Sequence, residues 1–330
     1  MSAPPTPTLQ VSDLKTHFFT KAGIVKAVDG VSFTVAPGEI LGLVGESGSG
    51  KSITGFSLMG LIDPPGRIVS GEIRFKGVDL VQAAPEAVRS LRGDRIAMIF
   101  QDPMMTLNPV LRVDTQMVET VQAHRNVSRA EALDMSLKAL SDVGIPAPER
   151  RLKAYPHELS GGMRQRVAIA IAFLLQPDLV IADEPTTALD VTIQAQILAL
   201  AQQMCARTGT GMIWITHDLA IVSALADRIA VMYAGRIVET GLTADVVTHP
   251  LHPYTRGLIG SVPSHNRRGE RLRQIPGMTP SLLSLPPGCA FKARCDLAGA
   301  ACETAPSLSE PVPGRQVRCV RPLLTEASAP

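Results

Sequence analysis

The chain has 330 residues, long for a single core and enough for one large domain plus an appendage. Hydrophobic residues make up 45% and charged residues 19%, a globular balance that excludes a disordered chain. A net charge of +2 gives no case for nucleic acid or an anionic membrane surface as the main partner, and no stretch of about 18 or more uncharged apolar residues is present to span a bilayer.

Residues 1–8, MSAPPTPT, are Pro-rich, are expected to be disordered, and lack the basic start and apolar run of a signal peptide. From residue 9 to 250, short apolar runs alternate with helical patterns, which predicts an α/β fold. EILGLVG (Glu39 to Gly45) reads as a buried strand and ITGFSLMGLI (Ile53 to Ile62) as a helix interior. The intervening GESGSGKS thus has the strand-to-helix setting that G-x-x-x-x-G-K-[ST] requires. Gly45, Gly48 and Gly50 let backbone N–H groups curl around an anion, Glu46, Ser47 and Ser49 complete the loop, and the following helix points its positive end at the same place. Lys51 is placed to reach the β- and γ-phosphates and Ser52 to offer a hydroxyl to Mg²⁺. A Gly-rich turn with an exposed lysine is the plainer alternative.

Further along, SRAEALDMSLKALSDVG predicts a helix. Ser128 and Glu131 have capping-box spacing, Leu133, Leu137 and Leu140 fall on one face, and Gly144 is placed to end it. In YPHELSGGMRQRVAIAIAFLLQPD, Ser160 reads as the N-cap of a long helix, a second anion-binding helix start. One nucleotide needs only one cradle, so the economical reading is that the second serves a nucleotide on another subunit; a plain cap is the alternative. DLVIADEPTTALD is a buried strand ending in two acids. Asp183 can hold the Mg²⁺ shell and Glu184 can polarise a water for attack on phosphate, against the alternative of a solvated acidic pair. Cys205 lies apart, in a helix, and reads as core.

After His249 prolines crowd in, which puts a boundary near residue 250 and a small, loop-rich segment over 251–330. Four of the five cysteines lie there: Cys289, Cys295, Cys302 and Cys319, spaced C-x5-C-x6-C-x16-C. The chain reads as cytoplasmic, and a reducing compartment argues against disulfides. The segment is too poor in apolar surface for its own core, so a metal centre would supply the missing cross-link. Four thiolates suit Zn²⁺ or an iron–sulfur cluster; four unligated cysteines are the alternative.

In order and spacing, the motifs across residues 9–245 resemble those of the nucleotide-binding subunit of an ATP-binding cassette (ABC) transporter. The resemblance implies a P-loop NTPase cassette with a RecA-like core, an antiparallel β subdomain and a helical subdomain over about 102–160. It makes GESGSGKS the Walker A loop, LVIADE the Walker B strand, and Ser160, Gly161, Gly162 and Met163 the signature that acts on a partner's ATP. Gln101 becomes the Q-loop residue bridging Mg²⁺ and the attacking water, Asp190 in TALD the dimer-communication residue, and His217 in ITHD the switch histidine on the γ-phosphate. Phe18, or else Phe19, would stack on adenine. ATP hydrolysis in such a site works by positioning and charge stabilisation. PMMTLNPV (Pro103 to Val110) is expected to expose methionines and leucine for the coupling helices of membrane subunits, or else to be local core.

HPYTRGLIGSVP and PPGCAFKARC further resemble the tail of oligopeptide and dipeptide importer ATPases, the peptide/nickel group. That implies a heterodimer of two related ATPases, two transmembrane permeases and an extracytoplasmic solute-binding protein. The chain would then sit peripherally on the cytoplasmic face of the inner membrane. Relatives with this tail carry a [4Fe–4S] cluster, which the resemblance favours over Zn²⁺. The other readings are import of nickel or another small solute, a soluble cassette machine unconnected with transport, or a metal- or redox-sensing module.

Overall fold

A computed structural model describes residues 6–187, 189–262 and 274–324. The chain forms two units, each assembled from separated stretches. One contains Val35–Ile40 and Gln82–Trp214, and the other Leu9–Thr34, Leu41–Val81 and the described residues from Ile215 onward.

The second unit begins the chain. Strands β1 (Leu9–Thr20) and β2 (Gly23–Val35) bury alternate side chains such as Leu9, Val11, Val31 and Phe33. β3 (Ile40–Val44) is buried at all five positions, as an apolar run covered on both faces should be. Helix α1 (Lys51–Leu58) follows, then β4 (Gly66–Phe75) and β5 (Val78–Asp79). An antiparallel sheet runs β2-β1-β4-β5, with Leu9 opposite Phe75 and Phe18 opposite Gly66.

The first unit is mostly helical: α2 (Pro85–Leu91), β6 (Ile96–Ile99), α3 (Pro103–Thr106), α4 (Val113–Gln122), α5 (Arg129–Asp142), α6 (Pro148–Leu152), α7 (Gly161–Phe173), β7 (Leu179–Asp183), α8 (Val191–Thr208) and β8 (Gly211–Thr216). Strands β8, β7 and β6 are neighbours in that order, and β6 and β7 are parallel. The capping box of α5 forms: Glu131 N donates to Ser128 Oγ at 3.2 Å and Ser128 N to Glu131 Oε2 at 2.8 Å. Its buried face is shifted from the expected leucine stripe. Ala132, Ser136 and Leu140 are buried, while Leu133 and Leu137 are only half-buried. Small residues face inward because α4, α6 and α7 all pack on this helix.

Back in the second unit come α9 (Leu219–Leu225), β9 (Arg228–Tyr233), β10 (Arg236–Leu242), α10 (Thr243–Thr248), α11 (Pro253–Gly260), β11 (Ser309–Val312) and β12 (Arg315–Val317). The strand order is β11-β12-β10-β9-β3, with β3 parallel to β9 and the other pairs antiparallel. The Pro-rich tail therefore extends a sheet of this unit, pairing Val317 with Glu239. Glu239, fully buried, takes N–H groups of Leu251 at 2.7 Å and His252 at 2.8 Å and the Arg315 guanidinium at 2.8 Å. Tyr233, Tyr254 and Phe291 form an aromatic cluster with ring centroids 4.6–5.4 Å apart. Residues on both sides of position 250 thus share one core.

Candidate functional site

In the second unit, β3 delivers the chain to the glycine-rich loop and α1 carries it away. Gly50 caps α1 at φ 103°, and a Cβ there would lie 2.2 Å from the Ala27 carbonyl oxygen, so no other residue fits. Lys51 is buried, and its Nζ donates to the loop's own carbonyls, Gly45 O at 2.8 Å and Glu46 O at 3.1 Å. The buried Ser49 hydroxyl has no hydrogen-bond partner among the described residues, whereas Ser47 and Gly48 are exposed. Ser52 is the second residue of α1. Backbone curled at a helix start, with a lysine folded against it, can cradle phosphate oxygens.

Glu46 is the unexpected member of this loop. Its carboxylate receives both ends of the Arg294 guanidinium, Nη1 on Oε2 at 2.6 Å and Nη2 on Oε1 at 2.8 Å, and the Thr279 hydroxyl at 2.9 Å. Its backbone N–H donates to the Tyr254 hydroxyl at 2.9 Å. The Arg294 hydrogen bonds outweigh burial and hold the Glu46 carboxyl below its ordinary range. Sequence reasoning placed Glu46 in the loop but missed Arg294, Thr279 and Tyr254. They lie over 200 residues away, and a lone arginine between two cysteines carries no signal of its partner.

Elsewhere in this unit, His217 is exposed just past β8, ahead of the α9 cap, where Asp218 accepts from Ala220 N at 2.8 Å. Phe18 is half-buried and packs on Gly66, where a Cβ would meet its ring at 2.6 Å. Phe19 is more exposed, with the Arg67 guanidinium 4.2 Å from its ring centroid.

The remaining candidates lie in the first unit. Gln101 is exposed after β6, and Asp102 caps α3. Asp183 ends β7 and is buried. Glu184 follows at φ 45°, a left-handed conformation uncommon for a non-glycine residue, and accepts the Thr187 hydroxyl at 3.0 Å. Ser160 caps α7, accepting from Met163 N at 3.3 Å, and Asp190 caps α8, accepting from Ile193 N at 3.0 Å. These two helix starts meet: a Cβ on Gly162 would lie 2.9 Å from Ile193, and one on Gly161 3.9 Å from Leu189. In the expected docking segment Met105 and Val110 are 72% and 75% exposed, but Leu107 is fully buried, so the leucine is core rather than surface.

Cys289, Cys295, Cys302 and Cys319 line one cavity, together with His252 and Phe291. Cys289 N donates to the Cys302 carbonyl at 2.9 Å, fastening the first cysteine to the third. All four are free thiols, and burial pushes those of Cys289, Cys295 and Cys319 up. The donor chemistry suits a soft metal. Among the described residues, however, no three His, Cys, Asp or Glu side chains converge closely enough to hold one. Cys205 is buried in α8.

A phosphate-type loop opening a helix, a strand ending in Asp183 and Glu184, and a Ser-Gly-Gly helix start are the equipment of a nucleotide-hydrolysing cassette. The fold agrees. The dimeric post-hydrolysis ATP-binding cassette MJ0796 bound to ADP and Pi superimposes with a TM-score of 0.64 at 24% identity, covering 71% of this chain and 98% of that one. A family profile described as ABC transporter matches residues 28–187. Another, described as the C-terminal region of oligopeptide/dipeptide transporters, matches residues 238–302. The probable peptide ABC transporter ATP-binding protein y4tR of Sinorhizobium fredii is 52% identical over 316 residues, 95% of this chain and 94% of its own length. The oligopeptide transport ATP-binding protein OppD of Escherichia coli is 49% identical over 315 residues, 96% of this chain and 93% of its own. The chain belongs to the ABC transporter ATP-binding proteins of the oligopeptide/dipeptide group, and it is an ATPase. No helix among its described residues is long and apolar enough to cross a membrane.

Proposed function

We propose that this chain powers the import of di- and oligopeptides, hydrolysing ATP in a head-to-tail pair with a second, related cassette. The observation that carries this reading is that peptide-transport ATPases of about half identity align over 95–96% of the chain and the oligopeptide/dipeptide transporter C-terminal profile matches residues 238–302. Two transmembrane permeases receive the pair at the cytoplasmic face of the inner membrane, and an extracytoplasmic binding protein supplies the cargo. Met105 and Val110, both exposed, are offered to the permeases, with the helical region 102–160 around them.

In this reading residues 45–52 hold the phosphates and Phe18 supports adenine. Ser52, Asp183 and Gln101 would hold Mg²⁺, which would neutralise charge on the phosphate oxygens. Glu184 takes the proton of the attacking water and His217 donates to the γ-phosphate. Ser160, Gly161, Gly162 and Met163 close on the partner's ATP, and Asp190 relays its state. Cys289, Cys295, Cys302 and Cys319 would hold a [4Fe–4S] cluster rather than Zn²⁺, a reading supported by their shared cavity and all-thiol donor set although their side chains do not converge on one point; the cluster would cross-link the tail.

A tagged chain captured from detergent-solubilised membranes should bring down two permeases and a second cassette, and cells lacking it should lose peptide uptake. Recovery of the chain alone, with uptake intact in its absence, overturns the assignment. Anaerobic purification should give a brown protein with about four iron and four sulfide per chain. A colourless protein with stoichiometric zinc, or with neither metal, removes the cluster.

A further inference from the structure

Glu46 occupies a loop position whose side chain the G-x-x-x-x-G-K-[ST] pattern leaves unspecified. Its partner is built to receive it. Arg294 is almost wholly buried, with a side chain only 6% exposed, and all three guanidinium nitrogens make hydrogen bonds. Two nitrogens meet the two Glu46 oxygens, Nε donates to Pro276 O at 2.8 Å, and the Tyr233 ring lies 5.8 Å away. Thr279 donates a third hydrogen bond to the same carboxylate, and the Tyr254 hydroxyl accepts from the Glu46 backbone N–H. All of these partners except Tyr233 and Tyr254 come from the tail beyond residue 274, and Arg294 stands directly before Cys295 on a 3₁₀ turn, Lys292–Arg294.

A planar fork on a carboxylate fixes orientation as well as distance, which a lysine or a single hydrogen bond does not. Glu46 is adjacent to Gly45 and five residues from Lys51, whose ammonium holds the Gly45 and Glu46 carbonyls. The direction of the Glu46 peptide therefore bears on two things: where the loop's N–H groups point, and how readily Lys51 leaves its own carbonyls for an incoming phosphate. We propose that Arg294, acting through Glu46, is a positioning residue for ATP: the cysteine-bearing tail sets the shape of the phosphate loop. This rests on the reading of residues 45–52 as the phosphate cradle.

The test uses the full chain and Mg-ATP, with equilibrium binding, steady-state hydrolysis and thermal melting measured on each variant. Arg294→Gln and Glu46→Gln should each weaken ATP binding and raise KM about tenfold while kcat at saturating ATP stays near that of the parent protein. Because the two residues act as one unit, the double variant should lose no more than either single one. Arg294→Lys should recover only part of the affinity, since the charge returns without the fork. Should Arg294→Gln fail to fold, the double variant, which pairs two neutral amides and leaves no buried charge, decides in its place. Lys51→Ala separates this inference from the reading beneath it. If Lys51→Ala binds ATP normally, the loop is not the phosphate cradle and both fall. If Lys51→Ala loses ATP while the folded Glu46 and Arg294 variants keep parental affinity and KM, the positioning role alone is overturned.

Discussion

Glu184 joins two observations at a single residue: a carboxylate one step past the end of β7, and a backbone at φ 45° that costs conformational energy to hold. Glu184 is half-buried and accepts the Thr187 hydroxyl, whereas Asp183 is buried at the strand end, so the neighbouring acids sit in different surroundings. Glu184→Gln keeps the shape and removes the carboxylate proposed as the base. It should lower hydrolysis roughly 10²–10⁴-fold while ATP still binds, measured as single-turnover rate against equilibrium affinity. Near-parental turnover would sink that role. The acid pair was legible in the sequence because a buried apolar run ending in DE has few structural uses. Its left-handed turn was not, since only tertiary packing selects it. Leu107 shows the same limit in reverse, as a leucine in a short, Pro-flanked, methionine-bearing stretch whose burial depends on neighbours that sequence spacing does not name.

Among elements, the starts of α7 and α8 are locked by the fit of Gly162 beneath Ile193. Gly162→Val should push the helices apart and cost about 1–3 kcal/mol in denaturant unfolding. Ile193→Ala should restore much of that stability by making room. ATPase activity that stays low in the rescued double variant would mark a second duty for the glycine beyond packing, whereas full recovery would make it a spacer. Strands β2 and β10 are joined by another device. Asp29 on β2 accepts two hydrogen bonds from Arg236 on β10, at 2.6 and 3.1 Å. Burial pushes the Asp29 carboxyl up, but the Arg236 contacts outweigh it and hold the group below its ordinary value of 3.8. The folded state thus favours the ionised form, so the pair's stabilisation is full above that value and is lost as pH falls beneath it. Thermal melts of the parent and Asp29→Asn should differ at neutral pH and converge below about pH 3.8. A gap that stays constant with pH would contradict this. Helix starts at Ser128 and Ser160 could be read ahead of the structure because a cap is a local interaction, whereas the cap at Asp190 emerges only in the structure. Which face of α5 is buried could not, because Ala132 and Ser136 are chosen by the helices opposite.

For the whole molecule, the tail is bound through buried polar anchors as well as apolar packing. Glu239 has no solvent exposure, and burial raises its carboxyl against the pull of its backbone donors and Arg315. Arg315→Met should therefore cost about 3–5 kcal/mol in urea unfolding at neutral pH by stranding that charge. The loss should shrink in acid as Glu239 takes up a proton, and a pH-independent loss would point to packing instead. The composition shift near residue 250 marked a change of chain chemistry but not its destination. A Pro- and Cys-rich segment reads as an appendage, yet here it supplies β12 to the edge of β10 and Phe291 to the Tyr233–Tyr254 cluster. Such long-range pairings leave no local trace.

The acid at position 46 and the base at position 294 are far apart in the chain, yet the buried guanidinium is costly to leave without its half-buried carboxylate. Hybrids spliced between relatives near the middle of the chain should therefore succeed or fail by whether the two halves bring matching charges, whatever their general similarity. A donor half that lacks the arginine would need its loop residue changed in the same step.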